Sequence, residues 1–242
     1  MRCPWICVSI LALASACATA PESDHDEPAD FVVDPDDGKG DGVAAVFDMN
    51  SVMTDALFTD GTAMTVDDVQ AFLETTPYGT RSWLASYTID GAPVSQAIVD
   101  AAQAYGIHPL VLLARMQTET SLVSKTVKPT QRLIDRALGC GCPDGSTCSS
   151  AEAGLGTQIE CGARVLRQWY DGSVDGTGEW RRGVSKRTLD PRTVTPRTHA
   201  TASLYAYTPW VLYGTGGTWL AWNITRKYVR DAEARGLVGP SL

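Results

Sequence analysis

Histidine is scarce in this 242-residue chain, at three copies, and its scarcity removes much of the usual catalytic repertoire. His25, His108 and His199 stand too far apart to form the H-E-x-x-H helix of a zinc peptidase. Three histidines still allow a Ser-His-Asp triad, but no G-x-S-x-G nucleophile elbow accompanies them. No phosphate loop or dinucleotide fingerprint occurs either, so no cofactor is expected. Basic charge is also limited, with 20 Lys and Arg against 28 Asp and Glu, and the sequence gives no sign of a nucleic-acid partner. After the N-terminus no long apolar stretch follows, so no membrane-spanning helix is expected.

What is present begins with an address. Arg2 precedes an apolar run from Trp5 to Ala16, which reads as a secretory signal. It ends in Leu13-Ala14-Ser15-Ala16-Cys17, which resembles a bacterial lipobox, so residues 1–16 are the expected signal peptide and Cys17 the expected lipidation site. Ala18 after Cys17 points to the outer membrane, and cleavage after Ala20 to give a secreted protein is the alternative. Residues 21–42 hold nine acids and one base, a charge of −8 equal to that of the whole chain. Residues 17–45 are therefore read as an acidic, disordered tether, and residues 46–242 as one domain, expected to be monomeric.

Apolar periodicity within that domain predicts a mainly α fold with long loops. Thr65 with Asp68 marks one helix start, and Pro93 to Tyr105 with Gly106 behind it reads as another helix. A third runs from Pro109 to about Val123, a fourth follows Gly154, and two more are expected at 200–207 and 219–234. Residues 125–153 and 171–198 read as loops. In the second of these, Arg181, Arg182, Lys186, Arg187, Arg192 and Arg197 against Asp190 make a local charge of +5.

Cysteine usage fits export. With Cys3 and Cys7 in the signal and Cys17 lipidated, Cys140, Cys142, Cys148 and Cys161 remain, and an even number in an exported chain reads as two disulfides. Three pairings exist. The favoured one closes a small loop with Cys142–Cys148 and ties it to the next helix with Cys140–Cys161. A zinc site is the rival, but paired C-x-x-C knuckles and a nearby histidine are lacking, so no metal is expected.

The residue that stands out is Glu119. Leu112, Met116 and Val123 share its helical stripe, so a carboxylate occupies a position where the pattern calls for a hydrophobe. Partial burial there would suit a general acid. The plainer reading is a helix-edge glutamate that reaches solvent or meets Arg115. With the other chemistries lacking their signatures, carboxylic-acid catalysis on a glycosidic bond is the favoured reading.

Three ordered segments give that reading a family. Gln117-Thr118-Glu119-Thr120-Ser121-Leu122, Gly154-Leu155-Gly156-Thr157-Gln158-Ile159 and the tyrosine segment from Ala200 to Pro209 together resemble the lysozyme-like superfamily of lytic transglycosylases, goose-type lysozymes and bacterial glucosaminidases. The resemblance covers roughly Met53 to Tyr228 and includes Tyr105-Gly106-Ile107-His108-Pro109 and Gly141-Cys142-Pro143-Asp144. It implies a lysozyme-like helical domain acting on peptidoglycan glycan strands, with Glu119 as general acid. Gln158, Thr157, Tyr205 and Tyr207 would then contact substrate. No second catalytic carboxylate is evident, though Asp144, Glu152 and Glu160 lie in the loop region; a lytic transglycosylase route needs none. A wall-binding lipoprotein with a degenerate fold is the alternative.

Overall fold

The computed structural model describes residues 46–142 and 148–239, all within one unit of the chain. The signal peptide, Cys17, the tether and Asp144 lie outside the described residues. The domain is mainly α, as its periodicity predicts, with eight α-helices and two short hairpins among the described residues.

The helices begin and end where local chemistry directs. Helix α1 (Asp55–Thr59), which the sequence reading missed, is a single capped turn whose Thr54 side chain accepts the Leu57 N–H. In α2 (Val66–Glu74), Thr65 and Asp68 form a reciprocal capping box. Strands β1 (Thr88–Ile89) and β2 (Ala92–Pro93) pair antiparallel around Asp90-Gly91, both at positive φ. Helix α3 (Val94–Tyr105) stops at Gly106, which is left-handed at φ +58. Helix α4 (Pro109–Thr120) follows at once and stops at Ser121 in the same conformation.

The two expected loops contain structure of their own. Helix α5 (Gln131–Ile134) is a single turn within the first. Helix α6 (Leu155–Asp175) runs further than expected into the second. It runs through Gly172 to the left-handed Gly176, and its end is closed by the Gly178 N–H donating to the Gly172 carbonyl at 2.8 Å. A Cβ on Gly172 would lie 3.2 Å from the Gly178 Cα. The basic segment folds into a hairpin of β3 (Lys186–Arg187) and β4 (Thr193–Val194). Helices α7 (His199–Tyr207) and α8 (Gly217–Ala234) complete the domain.

Helix α4 sits at the centre, against α3, α6 and α8, and is buried from Pro109 through Gln117. Phe72, Leu73, Ile98, Leu112, Leu166 and Tyr228 are closed off from solvent around it. The N-terminal segment is stitched to the start of α7 across the whole domain. Thr198 donates to the Met53 carbonyl at 2.7 Å, and Asp55 accepts the Ala200 N–H at 2.7 Å.

Candidate functional site

The site is built on the last turn of α4. His108 caps the helix, its ring Nδ1 accepting the Leu110 N–H at 3.0 Å. Burial lowers the His108 pKa to about 4, against a weaker opposing influence from Asp60. Pro109 occupies the first turn, where a missing N–H costs nothing. At the other end Gln117 locks the chain beyond the helix, its amide exchanging two 3.0 Å hydrogen bonds with Ser124. Thr120 reaches the carbonyls of Met116 and Ala137. The helix end is thus fixed from within and from the loop opposite.

Glu119 is where this buried helix reaches the surface, and its side chain keeps 28 % exposure. It is ion-paired through Oε1 with Arg115 one turn earlier, which is 2 % exposed. Arg115 also donates to the Thr208 hydroxyl at 2.9 Å and stacks its guanidinium 4.4 Å above the Tyr207 ring. Its Nε and Nη1 have no hydrogen-bond partner among the described residues. The arginine of the plainer reading is therefore in place. The same carboxylate also lines an open cleft of about 420 Å³, together with Gly139, Tyr207, Thr208, Trp210 and Leu220. Gly139 is left-handed at φ +73, and a Cβ on it would sit 2.8 Å from Glu119 Oε2.

The other expected site residues are distributed differently. Tyr207 lines the cleft, and its hydroxyl donates to the Leu138 carbonyl at 2.7 Å. Burial raises its phenol pKa well above the usual range, with Glu119 adding to the effect and Arg115 opposing it. Tyr205 is fully buried and stacked on Trp180 at 5.0 Å, its hydroxyl without a partner among the described residues. Residues two apart on a helix face different directions, so α7 cannot present both tyrosines to one groove. The expectation that Tyr205 contacts substrate is corrected: it belongs to the core.

Gln158 is also corrected. It is 0 % exposed, accepting the N–H groups of Leu138 and Cys140 at 3.2 Å and donating to the carbonyls of Cys140 and Glu152 at 2.7 Å. An amide so engaged has no donor left for a sugar. Gln158 instead braces the loop that carries Gly139 and the Leu138 carbonyl to the cleft. Thr157 lies beside it in the first turn of α6, outside the residues that line the cleft.

The disulfides reinforce that brace. Cys140 pairs with Cys161 on α6, and Cys142 pairs with Cys148, the favoured arrangement of the three. Among the lining residues Glu119 is the one carboxylate. Glu152 packs against Gly141 and pairs with Arg164 at 3.7 Å, while Glu160 accepts from Tyr105 at 3.2 Å, so each has a role elsewhere. His199 meets Ser173 at 2.9 Å, but that hydroxyl is 5 % exposed and accepts the Arg182 N–H, so it offers no accessible nucleophile.

Sequence reasoning missed the far wall of the cleft. Residues 208–217 form a strap whose shape is set at both ends. Asp190 accepts the N–H groups of Val211 and Leu212, at 3.0 and 2.9 Å. Gly217 at φ +56 lets the start of α8 approach Trp210, whose carbonyl accepts the Thr218 N–H at 2.8 Å. A Cβ on Gly217 would fall 2.6 Å from that carbonyl oxygen. The Gly214-x-Gly216-Gly217 run after Pro209 was the available signal.

A family model described as LasA, N-terminal domain, matches residues 51–204. No curated protein and no solved structure matches significantly. The matched span includes Glu119, Gly139 and all four disulfide cysteines, and it ends just before Tyr207 and the strap.

Proposed function

We propose that this chain, which belongs to the LasA N-terminal domain family, acts on the bacterial cell wall, with Glu119 as general acid on the glycosidic bonds of peptidoglycan glycan strands. The observation that carries the reading is the position of the Glu119 carboxylate, held by a buried helix at the edge of a cleft with a tyrosine, a threonine and a tryptophan around it. The cleft volume falls in the range of small-ligand sites. The ordered motifs that resemble the lysozyme-like superfamily support the same chemistry. The family hints at a cell-wall-related peptidase protein, which shares the polymer but not the bond.

Arg115 engages Oε1, which leaves Oε2, on the Gly139 side, to carry the proton. That proton passes to the leaving glycosidic oxygen as its bond to the anomeric carbon breaks. The sugar's own N-acetyl carbonyl stabilises the cation, the role that a second carboxylate would otherwise fill. The Glu119 carboxylate then accepts the proton of the 6-hydroxyl as that oxygen closes on the anomeric carbon. The product is an anhydro end, and Glu119 is reprotonated.

A second reading, a wall-binding domain without catalysis, is favoured by the Arg115–Glu119 pair, because an ion pair alone accounts for the glutamate. A digest of purified sacculi with the oxidised protein, beside Glu119→Gln, separates the two. Anhydromuramyl ends seen by mass spectrometry and lost in the variant support the transglycosylase route. Glutamate-dependent reducing ends would keep the glycosidase but replace its second step with hydrolysis. Folded protein that pellets with sacculi and releases nothing would leave the binding domain.

A further inference from the structure

Alternate residues of the strap serve two clefts. Trp210 and Leu212 line the one beside Glu119, whereas Val211 and Tyr213 line a second of about 500 Å³. Its other walls come from Phe47, Met49 and Asn50 and from Arg192 on the basic hairpin. The three contributing segments are pinned together by hydrogen bonds, one of them from the Asn50 side chain. Asn50 accepts the Thr195 N–H at 2.7 Å, the Arg197 N–H reaches the Asn50 carbonyl at 2.7 Å, and the Leu189 N–H reaches the Pro209 carbonyl at 2.8 Å.

The chemistry of this cleft is specific. Phe47 and the Tyr213 ring, which is 69 % exposed, give it an apolar face, with Val211 buried behind them. Its one acid, Asp48, is already paired with Arg197 at 2.8 Å. Lys186 on the same hairpin is taken by Glu179 at 2.7 Å. Arg192 makes no ion pair among the described residues, so the cleft holds an uncompensated guanidinium beside apolar surface. A guanidinium in that setting matches a carboxylate joined to small alkyl groups.

We propose that this second cleft binds the peptide stem of peptidoglycan, with the terminal carboxylate on Arg192 and the alkyl side chains on Phe47 and Tyr213. The assignment rests on the cell-wall reading above but concerns the peptide rather than the glycan. One strap would then separate the glycan cleft from the peptide cleft, so a single wall fragment could engage both.

The test is isothermal titration of the full-length oxidised protein with a synthetic pentapeptide ending in D-alanyl-D-alanine, as the free acid and as the C-terminal amide. Saturable binding of the acid is expected, with the amide about tenfold weaker or worse. Arg192→Gln should lose a similar factor. Arg187→Gln, which removes the same charge from the same hairpin outside the cleft, should lose none. Equal binding of acid and amide, an equal loss in Arg187→Gln, or no saturable binding by folded protein would each overturn the assignment. Binding that persists in Glu119→Gln, alongside wild-type protein that releases no glycan, would keep the peptide cleft and remove the glycosidase.

Discussion

The cap of α4 should make this domain acid-sensitive in a way that one substitution isolates. His108 is 3 % exposed and lends its unprotonated Nδ1 to the helix, so the folded state holds it neutral. Burial lowers its pKa from 6.5 to about 4. The unfolded chain has no such constraint and takes up a proton near pH 6.5. Above that value His108 is neutral in both states and imposes no acid penalty. Below it the unfolded state binds more protons, and stability falls by about 1.4 kcal/mol per pH unit. The fall levels off near pH 4, where the folded state also titrates. The loss across this window is about 3 kcal/mol. His108→Asn keeps a good capping acceptor but no titratable ring. Urea unfolding, followed by tryptophan fluorescence at several pH values between 7 and 4, would compare the two proteins. Carboxylates common to both cancel in the difference, as does any pH-independent cost of the smaller side chain. The stability gap should shift against wild type by about 3 kcal/mol on acidification. Parallel curves would refute the reasoning, since they would mean that His108 titrates alike in both states.

Two further outcomes follow from the wall opposite Glu119. Gly139→Ala forces a side chain into a left-handed backbone at about 1–2 kcal/mol and sets its Cβ against the Glu119 carboxylate, so both the denaturation midpoint and any glutamate-dependent release from sacculi should fall. Gln158→Leu should lower stability by about 3 kcal/mol in urea, because it leaves buried backbone groups of Leu138, Cys140 and Glu152 unpaired; a change under about 1 kcal/mol would show that the amide is not the brace described.

Much of the fold was legible because its signals are local. The Thr65–Asp68 box, Gly106 and Pro109 each act within a few residues and mark the helix boundaries they were expected to mark, whereas α4 stops at the left-handed Ser121, short of the expected end near Val123. Helix α6 outran its expectation, ending at the left-handed Gly176 and not before residue 171. In the site, Glu119 was legible as a charge in an apolar stripe. Gln158 was legible as a special residue, but its partners lie up to 20 residues upstream, so a brace and a ligand looked alike in sequence. Between Tyr205 and Tyr207 the sequence did not choose, although the 3.6-residue turn separates their directions. The strap was missed because its shape depends on Asp190, whose side chain caps backbone more than 20 residues away.

The Arg115–Glu119 pair has a consequence for descent. Arg115 is buried, so a chain that lost Glu119 would strand a charge in its interior, a change that destabilises well-buried pairs by about 3–5 kcal/mol and this half-open one by less. A descendant that had given up cleavage would therefore still gain from an acid at that position unless Arg115 changed with it. The glutamate can outlive the chemistry, and its presence in a related chain is no certificate of activity.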